Sequence, residues 1–129
     1  MNFEFDVSKI EEVLNDFYAV AGIKTVIFGS DYSVITAVPF KESAFCNAMN
    51  ITPVSSERCH ECTMNAVKNC KEKMIYRCHA GLVEAVAPIR MHDITIGYIM
   101  LGQVLKEGSD KEKIISYAKD FIGEGWSRV

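Results

Sequence analysis

The sequence predicts an α+β domain in which helices pack on an antiparallel sheet of about five strands. Three observations point there: amphipathic segments near both ends of the chain, two β-rich runs that fold back around turn-forming residues, and a short β-rich run between them. At 129 residues, with 49 % hydrophobic and 24 % charged side chains, residues 1–129 read as a single domain with one core.

The segment DVSKIEEVLNDFYAVAG places Ile10, Val13, Leu14, Phe17 and Ala21 at helical spacing. Ser8 with Glu11 has the capping-box pattern, and Gly22 suits the stop. In KTVIFGSDYSVITAV, two β-rich runs flank Gly29, Ser30 and Asp31, which tolerate turn dihedrals, so a hairpin is expected. A second hairpin, EAVAPIRMHDITIGYIMLGQVL, turns near Met91 to Asp93, and MIYRC supplies a fifth strand. Between the hairpins lies an insert. Pro53 breaks it, Ser55 or Ser56 can cap a helix beginning there, and Glu57 to Lys71 has helical spacing that puts Cys59, Cys62, Ala66 and Cys70 on one face. Ser109 with Glu112 repeats the cap pattern ahead of Ile114, Ile115, Ala118, Phe121 and Ile122. The order is helix, hairpin, cysteine-bearing helical insert, three strands, helix. This is an α+β arrangement of the PAS or GAF kind, a PAS-like sheet that can cup a small molecule.

Composition narrows the function. A net charge of -3 and a pI near 5.6 leave no basic stripe, so direct nucleic-acid binding is not expected. No apolar run reaches the ~20 residues of a membrane span, and the N-terminus lacks a signal-peptide pattern; the expected location is cytoplasmic. Thiols stay reduced in that compartment, and five cysteines, an odd count, argue against a disulfide framework. Paired carboxylates, a nucleophile elbow and a phosphate loop are all missing, so the chain is not expected to be an enzyme. It stops at GEGWSRV without an effector segment, which suggests one module of a longer signalling protein.

The cysteines are the unusual feature. ERCHEC, Glu57 to Cys62, is nearly repeated in YRCHAG, Tyr76 to Gly81. Cys46, Cys59, Cys62 and Cys78 could supply a tetrahedral thiolate set for zinc or iron, although their spacing is irregular. Cys59 and Cys62 near a helix start could be a redox dithiol, but the motif comes after a proline-containing loop and not a strand. Reduced cysteines also serve as small buried hydrophobes, the plainest reading for Cys70 ahead of the charged run KEK. On a helix, His60 points away from the Cys59–Cys62 face and reads as solvated.

The blocks SAFCNAMN, SSERCHEC, MIYRCHAGLVEAVAPI and ITIGYIMLGQVL, in this order, resemble the PocR sensory-domain family over about Phe17 to Leu105. The resemblance implies a variant PAS-like fold that senses simple hydrocarbon derivatives such as short diols and passes the signal to a DNA-binding, kinase or chemotaxis output. The positions it carries over are Cys46, Cys59, Cys62, Cys78, His79, Gly81, Gly102 and Gln103.

A small ligand offers few atoms, so its site needs near-complete burial with a few polar groups or a metal. Phe40, Phe45, Tyr76 and Met100 could form apolar wall, with polar contacts from Tyr76, His79, Glu84 or Gln103. Each also has a structural reading: Phe45 and Met100 as core, the Tyr76 hydroxyl at the surface, Glu84 solvated on an outer face. Gln103 carries more functional weight because an amide in an apolar strand needs a partner if buried. The expected ligand-binding set is Cys46, Cys59, Cys62, Tyr76, Cys78, His79 and Gln103. Signal is expected to leave through the terminal helices. Phe17 and Tyr18 widen the apolar face of the first helix and fit a homodimer contact.

Overall fold

The computed structural model describes residues 6–41, 46, 49, 53–104 and 112–116, with the side chain of Gln103 excepted. Helix α1 spans Val7–Ala21. It is followed by strands β1, Thr25–Gly29, and β2, Val34–Val38; helix α2 is Pro53–Lys68; strands β3, Met74–Arg77, β4, Val83–Met91, and β5, Ile94–Val104, complete the sheet. Both predicted hairpins and the fifth strand are present. The five strands are antiparallel in the order β2-β1-β5-β4-β3, so β1 leaves its hairpin partner on one side and pairs with distant β5 on the other. This is an α+β fold consistent with the PAS-like expectation.

Side chains alternate across the sheet, and the register therefore divides them between two faces. Ile27 and Val38 meet Leu14 of α1 on one face, with Ile10, Ile35, Ile89 and Ile99 packed around them. Val26, Phe28, Val86 and Met100 meet Ala66, Val67 and Cys70 on the other, so α2 and its C-terminal end cover that side. Burying a side chain such as Val67 or Phe28 contributes about 1.5–3 kcal/mol each. Helix α2 is thus held by its second half, and its first half overhangs one end of the sheet.

Several local details depart from the sequence reading. The N-cap of α1 is Asp6, whose carboxylate accepts the Lys9 amide at 3.2 Å; Ser8 lies inside the helix, and Glu11 instead accepts the Thr36 hydroxyl at 2.9 Å. Proline lacks the amide that a first-turn position leaves unbonded. Accordingly Pro53 begins α2 and does not break it, and Ser55 and Ser56 are helical residues, not caps. The helix ends at Lys68, so Cys70 is not on its face. Its thiol donates to the Glu72 carbonyl at 3.0 Å, a packing role. Phe40 is 89 % exposed and borders a separate shallow cleft beside Glu11 and Asn15. Residues 112–116 are helical as expected; Phe45, Ser109, Ala118, Phe121 and Ile122 lie outside the described residues.

Gly22 and Gly102 are two of three glycines, with Gly81, that hold positive-φ conformations other residues adopt at a cost. Gly22 closes α1 at φ +68°, its amide donating to the Tyr18 carbonyl at 2.8 Å, with open space where a Cβ would sit. Gly102, at φ +146°, faces the backbone of β4: a Cβ there would lie 3.0 Å from the Val83 carbonyl oxygen and 3.1 Å from Glu84 Cα and Cγ. The register shifts between Val83 and Glu84 at the same place, marking the bulge expected of a strand glycine. Gly22→Ala is expected to cost ~1 kcal/mol through backbone strain alone. Gly102→Ala is expected to cost ~2–5 kcal/mol, since strain and collision add. Urea unfolding of both variants checks the order.

Candidate functional site

Beneath the N-terminal half of α2 lies a cavity of about 540 Å³. Its roof is one face of that helix, where Ser56, Cys59, His60, Thr63 and Met64 recur at helical spacing. Its floor is the helix-facing side of the sheet, including Val26, Phe28, Glu84, Met100 and Gly102, and Cys46, Met49 and Cys78 close the flank.

Glu84 is the decisive floor residue. It is 2 % exposed, against the solvated position that the sequence alone allows. It pairs with Gly102 on one side and Tyr76 on the other, so all three positions share the helix-facing side. The Tyr76 hydroxyl hydrogen-bonds to the Glu84 carboxylate and lies 3.5 Å from Met100 Sδ. Burial, then the Glu84 charge, push the Tyr76 pKa well above its ordinary value, so the hydroxyl remains a donor. Tyr76 therefore sits behind the carboxylate and does not line the cavity.

The turn after β3 brings the second Arg-Cys-His triplet to the same end. The Cys78 amide donates to the Leu82 carbonyl at 2.8 Å, the Gly81 amide to the Cys78 carbonyl at 2.9 Å, and Arg77 Nη1 to the Gly81 carbonyl at 3.0 Å. Gly81 supports the turn at φ +95°. The amides of Leu82, Ala80 and Gly81 bond to the Cys78 sulfur, and the His79 amide bonds to that of Cys62. These donors favour thiolate, but burial outweighs them, and both thiols titrate above their ordinary range.

Cys59 Sγ lies 3.0 Å from His79 Nε2. Such a contact can activate a thiol. Here the electrostatics oppose it. Burial, then Cys78, Cys46, Cys62 and Glu84, push the Cys59 pKa up to about 12. Burial and Arg58 push His79 below its ordinary value. At neutral pH the pair is a neutral thiol hydrogen-bonded to a neutral imidazole, not a thiolate–imidazolium nucleophile.

The fold thus gathers the expected residues unequally. Cys46, Cys59 and Cys78 line the cavity, Cys62 and Tyr76 lie just behind its wall, and His79 is turned to Cys59. The side chain of Gln103 lies outside the described residues, although its backbone is in β5. Among the described residues no group of three or more His, Cys, Asp or Glu side chains is placed to hold one metal ion. Sequence reasoning missed Thr63 and Met64 as roof; the i, i+3, i+4, i+7, i+8 spacing from Ser56 would have found them, and it also carries His60, which borders the cavity while exposed, as expected.

A five-stranded antiparallel sheet that cups a cavity under a helix defines the class: a PAS-like α+β domain. The family model described as "Sensory domain found in PocR" matches residues 4–123, and the chain belongs to that family. The Regulatory protein PocR of Salmonella typhimurium (strain LT2) is 29 % identical over 98 residues, 74 % of this chain and 32 % of that protein. The chain spans about a third of that relative's length. No solved structure matches it. No helix among the described residues is long and apolar enough to cross a membrane.

The raised Cys59 pKa sets a pH dependence. An unfolded thiol ionises near 9.0 and the folded one near 12, so its contribution to stability is complete below about pH 9 and is lost as pH rises towards 12. Cys59→Ser is expected to flatten part of the fall in urea-unfolding free energy between about pH 8 and about pH 11. Cys62 and Cys78 keep the remainder.

Proposed function

We propose that the domain is a non-catalytic sensor that binds a small organic ligand in the cavity between α2 and the sheet. The observation that carries this reading is a cavity of about 540 Å³ with a buried carboxylate in its floor and mainly apolar walls, in a chain of the PocR sensory-domain family. Cavities of ~300–1,000 Å³ with few polar groups are the usual form of small-molecule sites. The neutral Cys59–His79 pair supports binding over turnover.

The ligand signal leaves through the terminal helices. A Cβ on Gly81 would lie 3.1 Å from Ile114 Cγ1, so the helical residues 112–116 pack on the turn that carries Cys78 and His79. A ligand that shifts this turn acts on that helix, provided it binds one arrangement better than the other. The output is transcriptional, kinase or chemotactic. Phe17 and Tyr18 are partly exposed on α1, which suits a homodimer. The domain works in the cytoplasm, without direct contact to nucleic acid.

Thermal unfolding against a panel of small alcohols, diols and amines tests the reading. A binder at ~100 times its Kd stabilises the folded state by about 2.7 kcal/mol. Thr63→Trp, which fills the cavity from the roof, is expected to abolish that gain. Equal stabilisation of both proteins, or of neither, would contradict it.

A second reading rests on the proximity of Cys78, Cys46 and Cys62 to Cys59: a metal or redox sensor in which the thiols are the receptor. Metal analysis of protein purified without chelator, with thiol titration after denaturation, separates the two. The first reading expects no stoichiometric metal and five titratable thiols. Stoichiometric zinc or iron lost on Cys59→Ser would favour the second.

A further inference from the structure

The register arranges the cavity floor in rows. The first holds Glu84, Gly102 and Lys24, whose carbonyl accepts the Gly102 amide. Two residues further along the strands come Val86, Met100 and Val26, and two further again Tyr98, Phe28 and Val34. One cavity touches residues of all three rows. At ~3.3 Å per residue the first and third rows lie about 13 Å apart. The first row holds the charged residues Glu84 and Lys24, whereas the cavity-lining residues of the other two, Val26, Met100, Phe28 and Val34, are apolar.

The far end is also buttressed by aromatic and cationic contacts. Tyr32 lines the cavity there, its ring stacked on Tyr98 with centroids 5.6 Å apart, and the Lys68 ammonium sits 5.7 Å from the Tyr32 ring centre. Helix α2 thus braces through Lys68 the same aromatic wall that the β1–β2 turn presents. A wall fixed before binding favours a ligand that fills it, because little ordering remains to be done.

We propose that the cavity takes an elongated amphipathic molecule: a hydroxyl or ammonium headgroup that donates to Glu84, carried on a ring-sized apolar body lying along Val26, Met100 and Phe28 to Tyr32. The proposal rests on the ligand-binding reading and replaces the short diol with a larger ligand class. A carboxylate accepts hydrogen bonds and repels a second anion, so the group that meets Glu84 is a donor, with Lys24 bordering the same row. A short diol would cover only the first row and leave the cavity-lining faces of Val26, Met100 and Phe28 without ligand contact.

Isothermal titration of the full chain with 3-phenylpropan-1-ol, 3-phenylpropylamine, 3-phenylpropanoate and propane-1,2-diol tests this. The alcohol and amine are expected to bind about tenfold or more tighter than the carboxylate and the diol. Glu84→Gln, which keeps the side-chain shape, is expected to weaken the amine by about tenfold and to narrow its lead over the carboxylate. Val34→Trp, at the exposed far end, is expected to weaken the phenyl compounds and leave the diol unchanged. Equal affinity for the carboxylate, or affinities unchanged in Glu84→Gln, would overturn the headgroup assignment. A diol that binds tighter than the phenyl compounds would overturn the ligand class while leaving the sensory reading intact. Silence from all four also overturns this class, and the cavity-filling Thr63→Trp comparison then judges sensing by itself.

Discussion

The close approach of Gly102 to Glu84 is the constraint on which the site depends. Only a residue without a Cβ allows β5 to pass the Val83 carbonyl and the Glu84 side chain at this distance. The carboxylate is therefore held against backbone, buried, and directed to the side that α2 covers. Burying a carboxylate is costly without hydrogen bonds, and Tyr76, one position along the ladder, supplies one. Glycine, carboxylate and phenol thus form a unit set by strand pairing, before any ligand is considered.

The surroundings derive from that unit. A negative group at the end of the sheet disfavours ionisation of every thiol near it, and desolvation acts in the same direction. The cysteines consequently behave as neutral, polarizable wall despite the amides directed at Cys78 and Cys62. The same turn that supplies those amides carries Gly81, against which Ile114 packs, so the polar end of the cavity is also the end joined to the C-terminal helical residues. The apolar end is anchored differently, by Val67 and Ala66 in the core and by Lys68 over Tyr32. The polar end of the cavity and the contact with the C-terminal helical residues thus coincide, while the core anchors the other end.

The fold was largely legible in the sequence. The strands carried β-branched residues bounded by clear turns, and Gly22 was readable as a helix stop. The start of α2 was not legible because proline both breaks helices and begins them; only the backbone tells the two apart. Ser8 lost the cap to Asp6 because an aspartate two residues earlier satisfied the first-turn amides. The burial of Glu84 was not legible either. Strand alternation gives two faces but not how far along each a helix covers it, and for Glu84 that depends on the crossing of α2 from a segment remote in sequence. Phe40 failed for a related reason: an aromatic residue just past a strand end can turn to either side, and this one turns to solvent. The cysteine duplication did mark the right region, yet its meaning came from the Cys59–His79 contact and the turn amides, neither of which spacing reveals.

The most direct measurement uses the methionines as reporters, because Met49, Met64 and Met100 line the cavity and Met91 lies exposed at the β4–β5 turn. Nuclear magnetic resonance of isotope-labelled methionine methyl groups, recorded during titration with 3-phenylpropan-1-ol, reads occupancy of the cavity residue by residue. A ligand seated between α2 and the sheet predicts saturable shifts at Met49, Met64 and Met100 with Met91 unmoved. Binding that shifts Met91 and leaves those three in place would contradict that location.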